Sequence, residues 1–188
     1  MLQEMIFAGF GGQGVLSMGT LLAYAAMKEG KEVSWMPSYG PEMRGGTANC
    51  IVNISDQPIS SPIVSEYNVA VVLNQPSLKK FESRVKKDGI LIWESTNIKE
   101  PPTRTDINVY GLPAIDKATH ELKNVKVMNM IVLGALVKIN KIVKKESLLI
   151  ALRETLPERH HHLIPLNKKA VEIGMRLIRI DRVDLIRT

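Results

Sequence analysis

The sequence predicts a single three-layer α/β/α domain with a mixed, largely parallel sheet and a Rossmann-like glycine turn near its N-terminus. Candidate strands and helices are interspersed, and several strand candidates are wholly apolar, which is typical of α/β strands covered on both faces. No internal repeat, low-complexity tract or linker divides the 188 residues, so one domain spanning 1–188 is expected. Its last ten residues, 179–188, alternate between charged and apolar and are expected to dock onto a neighbour or to fray.

The first strand, turn and helix are predicted near the N-terminus. The apolar run 5–8 suits a buried strand, and the stretch 15–27 is rich in helix formers. Between them, four glycines stand within six positions. Glycine is favoured where φ must be positive, or where a ligand or another backbone comes closer than a Cβ allows. The expected order is therefore strand, glycine turn, helix.

Five further stretches predict the remaining strands. The stretch 47–54 is rich in β-branched residues and alternates between apolar and polar ones. The stretch 69–73 is continuously apolar, as expected for a central strand. The segment 59–65 contains Pro62, which cannot donate to a strand ladder, so it is expected to be extended at a sheet edge. Residues 86–89 predict a turn, and the polar stretch 94–106 predicts a flap or a loop. The predicted strands lie at 33–36, 47–54, 69–73, 90–93 and 107–110.

The later helices are predicted from caps and from apolar periodicity. Asn74 is a cap candidate, and Pro76 suits the first turn of the helix that follows. The stretch 129–139 is apolar on most faces and is expected to be buried, whereas 145–155 is amphipathic. The predicted helices lie at 74–84, 114–122, 129–139, 145–155 and 167–178.

The glycine turn formally fits the dinucleotide-binding pattern G-x-G-x-x-G at Gly9, Gly11 and Gly14. Such a turn points backbone N–H groups and a helix N-terminus at an anion. The pattern also requires an acidic residue at the end of the second strand to hold a ribose hydroxyl. Here Glu32 stands at the start of that strand and Glu42 lies in the following loop. Neither glutamate is at the end of the strand, so the ribose contact is missing. For this reason a free-standing dinucleotide-binding oxidoreductase is only the second hypothesis. The alternative is a turn that only lets the helix and sheet, or another chain, pack closely.

Composition and charge limit the kinds of partner and the cellular location that can be expected. The net charge of +6 alone suggests nucleic acid, but the basic residues are spread along the chain with few aromatic residues between them. A solvated basic surface, or one facing an acidic partner, explains the charge better, and no nucleic-acid partner is expected. No signal peptide opens the chain and no apolar run is long enough to span a bilayer, so a cytoplasmic protein without membrane contact is expected.

Five segments in this order are specific enough to indicate a family. They read GFGGQGV at 9–15, YGPEMRGGTANC at 39–50, ISSP at 59–62, NMIVLGA at 129–135 and NKKAVEIG at 167–174. Together they closely resemble the gamma subunit of the 2-oxoacid:ferredoxin oxidoreductases, over nearly the whole chain. The form of the loop at 42–47 resembles the 2-oxoglutarate or branched-chain 2-oxoacid members more than the pyruvate members.

The resemblance implies an enzyme complex that decarboxylates a 2-oxoacid on thiamine diphosphate, passes electrons through iron–sulfur clusters to ferredoxin and gives the acyl group to coenzyme A. It places thiamine diphosphate, its magnesium and the four-iron four-sulfur clusters on other chains. These are the alpha and beta subunits and, where present, a ferredoxin-like delta subunit. Cys50 is the only cysteine, so this chain alone cannot supply the ligands of a cysteine-bound cluster. No catalytic residue, metal or cofactor is expected in this chain by itself.

Two stretches are expected to contact a ligand or the partner subunits. Arg44 is the candidate for an anion contact because a guanidinium can pair bidentately with a carboxylate or phosphate. It could instead pair with Glu42 or with a partner subunit. Tyr39 and Glu42 would orient Arg44 or line an interface, and Gln13 would bond a ligand or tie down its own loop. The candidate residues are Gly9, Gly11, Gly12, Gln13, Gly14, Tyr39, Glu42, Arg44, Gly45 and Gly46.

Three further features are interpreted as structural. Cys50 is expected to be a small buried hydrophobe, and Asn129, inside an apolar helix, should need a hydrogen-bond partner. His160, His161 and His162 are adjacent rather than spaced along one helix face, so a metal site within the chain is not expected. They depart from the family pattern, and an exposed position is expected for them.

Overall fold

The computed structural model describes residues 1–39 and 46–178. The strands are β1 (Leu2–Phe10), β2 (Glu32–Tyr39), β3 (Thr47–Ser55), β4 (Tyr67–Val72), β5 (Val85–Glu94) and β6 (Asn108–Leu112). The helices are α1 (Val15–Lys28), α2 (Gln75–Phe81), α3 (Ala114–His120), α4 (Met128–Asn140), α5 (Lys145–Thr155) and α6 (Ile164–Leu177). Segments of 3₁₀ helix lie at Glu82–Arg84, Val125–Val127 and Glu158–Leu163.

The strands of the described residues form one mixed sheet in the order β2-β3-β1-β4-β5-β6. Neighbouring strands are parallel from β1 through β4 and β5 to β6, whereas β3 is antiparallel to both β1 and β2. The predicted α/β fold with a mixed, largely parallel sheet is confirmed. Because β3 lies between β1 and β2, the ends of β1 and β2 are two strand spacings, or about 10 Å, apart.

Helices and loops cover both faces of the sheet, but unequally. Met5 and Phe7 of β1 point into a core formed with α1, α3, α4, α5 and α6 on one face. Ile6 and Ala8 point to the second face, where α2 and the loops before and after it form a smaller core. This alternation explains the continuously apolar runs, because both sides of the central strands are buried.

Two glycines bring α4 and α6 into backbone contact. A Cβ built on Gly174 would overlap the carbonyl oxygen of Ile131, and one built on Gly134 would overlap that of Val171. The two helices therefore run antiparallel, at a distance that leaves no room for a side chain at either position.

Three local predictions are wrong. Residues 59–65 do not lie at a sheet edge; they pass over the second face, where Val64 packs against the core. Residues 86–89 belong to β5, and Asp88 there has a φ of 61°. The last helix begins at Ile164 rather than at residue 167, with Pro165 in its first turn, where its missing N–H costs nothing.

The stretch 94–106 is a packed loop rather than a flap. The Gln75 amide accepts a hydrogen bond from the Glu100 N–H at 3.0 Å and donates one to its carbonyl at 3.1 Å. Glu82 accepts from the N–H of Arg104 at 2.9 Å, and Ile98 is buried on the second face. Gln75 begins α2, and Glu82 begins the 3₁₀ helix that follows it. The predicted cap of α2 is confirmed, because the Asn74 side chain accepts from the Ser77 N–H at 2.8 Å.

Among the described helices, none is both long and apolar enough to cross a membrane.

Candidate functional site

The glycine turn joins the end of β1 to the start of α1. Gly12 and Gly14 have φ values of 96° and 77°, a region that other L-residues rarely adopt. Gly14 is the N-cap of α1, and its carbonyl accepts from the Met18 N–H at 3.0 Å. Two of the glycines are therefore required by the backbone conformation of the turn itself.

Gln13 ties this turn to the neighbouring strand. Its side-chain oxygen accepts from the Phe10 N–H at 2.6 Å, and its side-chain nitrogen donates to the Leu73 carbonyl, just after β4, at 3.2 Å. A Cβ on Gly9 would lie 2.6 Å from that Gln13 oxygen. These two bonds hold the loop, as expected in the second of the two roles, and the contact of Gln13 with a ligand stays a prediction.

The other contacts of the turn are also with the protein itself. The Gly11 N–H donates to the Gly46 carbonyl at 2.9 Å, which joins the turn to the residue before β3. A Cβ on Gly14 would lie 2.8 Å from the side-chain carbon Cγ of Asn129, near the start of α4. The Asn129 side-chain oxygen accepts from the Met130 N–H at 3.0 Å, which supplies the partner expected for this buried amide. The space beside the turn is thus occupied by other residues of the same chain, and β3 lies beside β1. Both observations favour a turn that only allows close packing over a dinucleotide site.

A cleft of about 660 Å³ lies on the outer side of the turn. Phe10 and Trp35, which are 38% and 41% exposed, line it together with Pro37. Its remaining lining comes from residues of the glycine turn, of the first turn of α1 and of the start of β3. No side-chain cap is made at Gly14, and the first turn of α1 carries no acidic residue. The positive end of the helix dipole therefore opens into an apolar cleft.

A family model described as pyruvate ferredoxin/flavodoxin oxidoreductase matches residues 4–177. The chain belongs to this family. Ketoisovalerate oxidoreductase subunit VorA of Methanothermobacter thermautotrophicus is 39% identical over 168 residues, which are 89% of this chain and 34% of that protein. The chain thus spans about a third of VorA. The 2-oxoglutarate synthase subunit KorC of Methanocaldococcus jannaschii is 34% identical, with 84% of this chain and 86% of that protein covered.

A solved structure supports the same assignment. The gamma subunit of a keto/oxoacid ferredoxin oxidoreductase from Geobacter sulfurreducens has a TM-score of 0.80 and 30% identity, and the match covers 93% of this chain and 97% of that one. The resemblance inferred from the five sequence segments is confirmed.

The structure brings together most of the residues that were predicted to contact a ligand or the partner subunits. Gly9 lies near the end of β1, Gly11, Gly12, Gln13 and Gly14 form the turn, and Gly46 is bonded to it. Tyr39 is the last residue of β2, paired in register with Ala48 of β3. Glu42, Arg44 and Gly45 lie outside the described residues. Sequence reasoning missed Phe10 and Trp35, although an aromatic residue between glycines and a tryptophan on an edge strand were available signals.

Cys50 lies in the core beside this cleft. It is fully buried, and its thiol points at the Val15 carbonyl, 3.7 Å away. Burial raises the pKa of the thiol from 9.0 to about 12, although hydrogen bonds with Trp35 and Gly19 act in the opposite direction. The expected burial of Cys50 is confirmed.

Cys50 should make stability fall in alkaline solution. Between pH 9 and 12 the unfolded thiol loses its proton while the folded thiol keeps it, so ionisation favours the unfolded state as pH rises. Relative to Cys50→Ala, the wild-type chain should lose about 2 kcal/mol of unfolding free energy by pH 10.5. Urea unfolding of both proteins from pH 8 to 10.5 measures the difference. Parallel pH profiles would show that the thiol titrates normally.

Within the part of the chain that the structure describes, the three histidines are not grouped with other possible metal ligands. His161 Nε2 lies 2.8 Å from the Leu156 carbonyl, and the rings of His160 and His162 are 6.4 Å apart. His162 is exposed as expected, whereas His160 and His161 are half-buried. In residues 1–39 and 46–178, no three His, Cys, Asp or Glu side chains are grouped as a metal ion would need.

Proposed function

We propose that this chain is the gamma subunit of a complex that oxidatively decarboxylates a 2-oxoacid to an acyl-coenzyme A and reduces ferredoxin. The observation that carries this proposal is the match to KorC and to the Geobacter gamma subunit over most of the length of each. Similarity to both KorC and VorA supports 2-oxoglutarate or a branched-chain 2-oxoacid as the substrate class.

The chemistry of the complex lies on other chains in this proposal. Thiamine diphosphate, magnesium and four-iron four-sulfur clusters are held by alpha and beta subunits and, where present, a ferredoxin-like delta subunit. The single cysteine supports this division, because Cys50 is buried and burial disfavours the thiolate that a cluster requires. Ferredoxin is reached through the complex rather than through this chain, and the complex acts in the cytoplasm.

The cleft at the glycine turn faces the catalytic subunits and helps to close the coenzyme A side of their cavity. Three features support this assignment. Phe10 and Trp35 are large apolar side chains exposed at one site, which is typical of protein interfaces. The N-terminus of α1 is open to the cleft and favours an anionic group there. The Tyr39 to Gly46 loop joins the two strands whose ends meet at the cleft.

Native mass spectrometry tests the subunit assignment. The untagged protein, isolated anaerobically from its own cells, is expected to appear with two or three other chains that carry iron, sulfide and thiamine diphosphate. Recovery of the chain alone, or only with copies of itself, would refute the assignment. In that case calorimetry with NAD and NADP would test the glycine turn as a nucleotide site.

Phe10→Ala should weaken assembly without unfolding the chain. Aromatic side chains at interface centres commonly contribute about 2 kcal/mol or more, so affinity for the partner subunits should fall at least about tenfold. Tyr24→Ala is the matched control, because Tyr24 is 44% exposed on α1 but does not line the cleft. Sedimentation of the reconstituted complex measures both affinities. Equal affinities for the two variants would place the interface elsewhere.

A further inference from the structure

β2 forms one edge of the sheet, and its outer side pairs with no strand of the described residues. It runs for eight residues, Glu32–Tyr39, which is longer than most strands of globular proteins. Exposed edge strands are commonly blocked by lysine, by proline or by charged side chains that point inwards. The stretch 33–38 carries no charged residue, and its one blocking residue is Pro37. The outer side of β2 is therefore open to another strand.

The pairing of β3 decides which backbone groups of β2 point outwards. Just beyond the two ends of the β1–β3 pairing, the Gly11 N–H donates to the Gly46 carbonyl and the Asp56 N–H donates to the Met1 carbonyl. Even-numbered residues of β3 therefore bond to β1, and odd-numbered ones bond to β2. Odd residues of β3 stand opposite even residues of β2, so the odd residues of β2 point both their N–H and their C=O outwards.

These outward groups form a row that another strand can pair with. Val33 and Trp35 each present an N–H and a carbonyl, whereas Pro37 presents only a carbonyl because it has no N–H. The described residues provide no hydrogen-bond partner for any of these groups. The position of Pro37 agrees with this assignment, because proline in a sheet is tolerated where its nitrogen faces away from the neighbouring strand. We call these groups of Val33, Trp35 and Pro37 the outer edge of β2.

Trp35 provides a fixed apolar surface beside the outer edge. Its indole nitrogen lies against Gly19 of α1, where a Cβ would stand 3.1 Å from it, and hydrogen-bonds with the Cys50 thiol. These contacts hold the ring on the α1 side of the sheet, and 41% of the residue stays exposed. Trp35 and Pro37 also line the cleft at the glycine turn. A strand added to β2 would place every second side chain on this side, next to the cleft.

We propose that β2 receives an extended segment of a partner subunit as an additional strand of the sheet. The inference rests on the function proposed above and deepens it, because it adds backbone hydrogen bonds to the interface at the cleft. The segment carries apolar side chains at the positions opposite Trp35 and Pro37, where they contact the exposed ring. In such strand additions the main-chain bonds give affinity, and the alternate side chains give specificity.

A second copy of this chain fits the outer edge less well. Two copies related by a twofold axis would pair antiparallel, with odd residues opposite odd residues. Centred on Trp35, the pairing sets Val33 against Pro37 of the other copy, which has no N–H to donate. Centred on Ser34, it leaves the Pro37 carbonyl opposite a residue that lies before β2. Either way a carbonyl in each copy stays unpaired, whereas a strand of different sequence can supply a donor for every carbonyl.

Amide hydrogen exchange, resolved by residue, tests the proposal on the reconstituted complex. In the isolated chain the Val33 and Trp35 amides should exchange rapidly, whereas the Ser34 and Met36 amides, which bond to β3, should be protected. In the complex, exchange at Val33 and Trp35 should slow at least about 100-fold because both amides become hydrogen-bonded. Exchange at Ser34 and Met36 should change far less.

A proline variant tests the same bonds by affinity. Val33→Pro removes an outward donor and leaves the bonds between β2 and β3 in place. Val33→Ala is the matched control, because it also shortens the side chain but keeps the N–H. The proline variant should bind the partner subunits at least about tenfold more weakly than the alanine variant. If Val33→Pro does not fold, the exchange measurement on the wild type decides the question.

The contrary results are distinct from one another. An assembled complex in which Val33 and Trp35 still exchange rapidly, or equal affinities of the two variants, would refute the added strand and leave the proposed function intact. Failure of the complex to form would refute both. Protection of the two amides in the isolated chain that grows with its concentration would assign the outer edge to a second copy and overturn the partner strand.

Discussion

Gly174→Ala should destabilise the chain by about 3 kcal/mol, near the upper end of the cost of overpacking a core. The new Cβ would overlap the Ile131 carbonyl oxygen and lie 2.8 Å from its carbonyl carbon and 2.9 Å from the Ala135 nitrogen. All three atoms belong to the α4 backbone, so no side chain can rotate away and the two helices must separate. Better helix propensity returns only about 1 kcal/mol, and that gain is already included in the net estimate.

Thermal unfolding measures this effect. For a chain of this length, about 3 kcal/mol corresponds to a fall in Tm of about 10 °C. Lys168→Ala is the matched control, because Lys168 is exposed on the same helix and the substitution should change Tm by no more than about 2 °C. A Gly174→Ala chain as stable as the wild type would contradict the backbone contact between α4 and α6.

Local sequence signals predicted most of the elements because the physics that forms them is local. The amphipathic pattern gave α5 with its observed bounds, Lys145–Thr155, and the Asn74 cap formed as expected. The predicted strand 47–54 differs from β3 by one residue. Continuous apolar runs identified the strands buried on both faces. In these elements the spacing of apolar residues in the sequence directly reflects which faces are buried.

Strand order could not be predicted in this way. Nothing in the residues of β3 states that it inserts antiparallel between β1 and β2, because pairing partners are chosen by long-range packing. The consequence reaches the candidate site. With β3 beside β1, the end of β2 brings Trp35 and Pro37 to the wall of a cleft, while the glycine turn bonds to Gly46 instead of facing the end of β2 directly.

The glycines were identified from the sequence, but their partners were not. The sequence marked Gly9 and Gly14 as positions of close approach, and the groups that approach them are the side chains of Gln13 and Asn129. Asn129 is more than 100 residues from the turn, and its position depends on how α4 packs. Long-range contacts of this kind are set by the assembled core rather than by the pattern around either residue.

Glu94→Ala should also cost about 3 kcal/mol, through lost hydrogen bonds rather than through overlap. Glu94 ends β5, where none of the residue is exposed. One carboxyl oxygen accepts from the Asn97 N–H at 2.9 Å and the other from the Ile115 N–H in the first turn of α3 at 3.1 Å. The side chain therefore joins the loop after β5 to α3. Alanine leaves both N–H groups without an acceptor, at about 1–3 kcal/mol each when they stay shielded from water.

Urea unfolding and amide hydrogen exchange together separate this mechanism from a general loss of packing. The amides of Asn97 and Ile115 should exchange faster in Glu94→Ala by more than the change in global stability explains, whereas amides of β1 should follow the global change alone. Glu121→Ala is the control, because its exposed carboxylate pairs with Lys117 on the surface, where solvent screens the pair, and its loss should change stability far less than Glu94→Ala does. Equal losses for the two variants, or unchanged exchange at Asn97 and Ile115, would show that the buried carboxyl does not hold the loop to α3. The expected inequality follows from burial: a carboxyl that water cannot replace holds two backbone donors, whereas one in solvent adds little to the water it displaces.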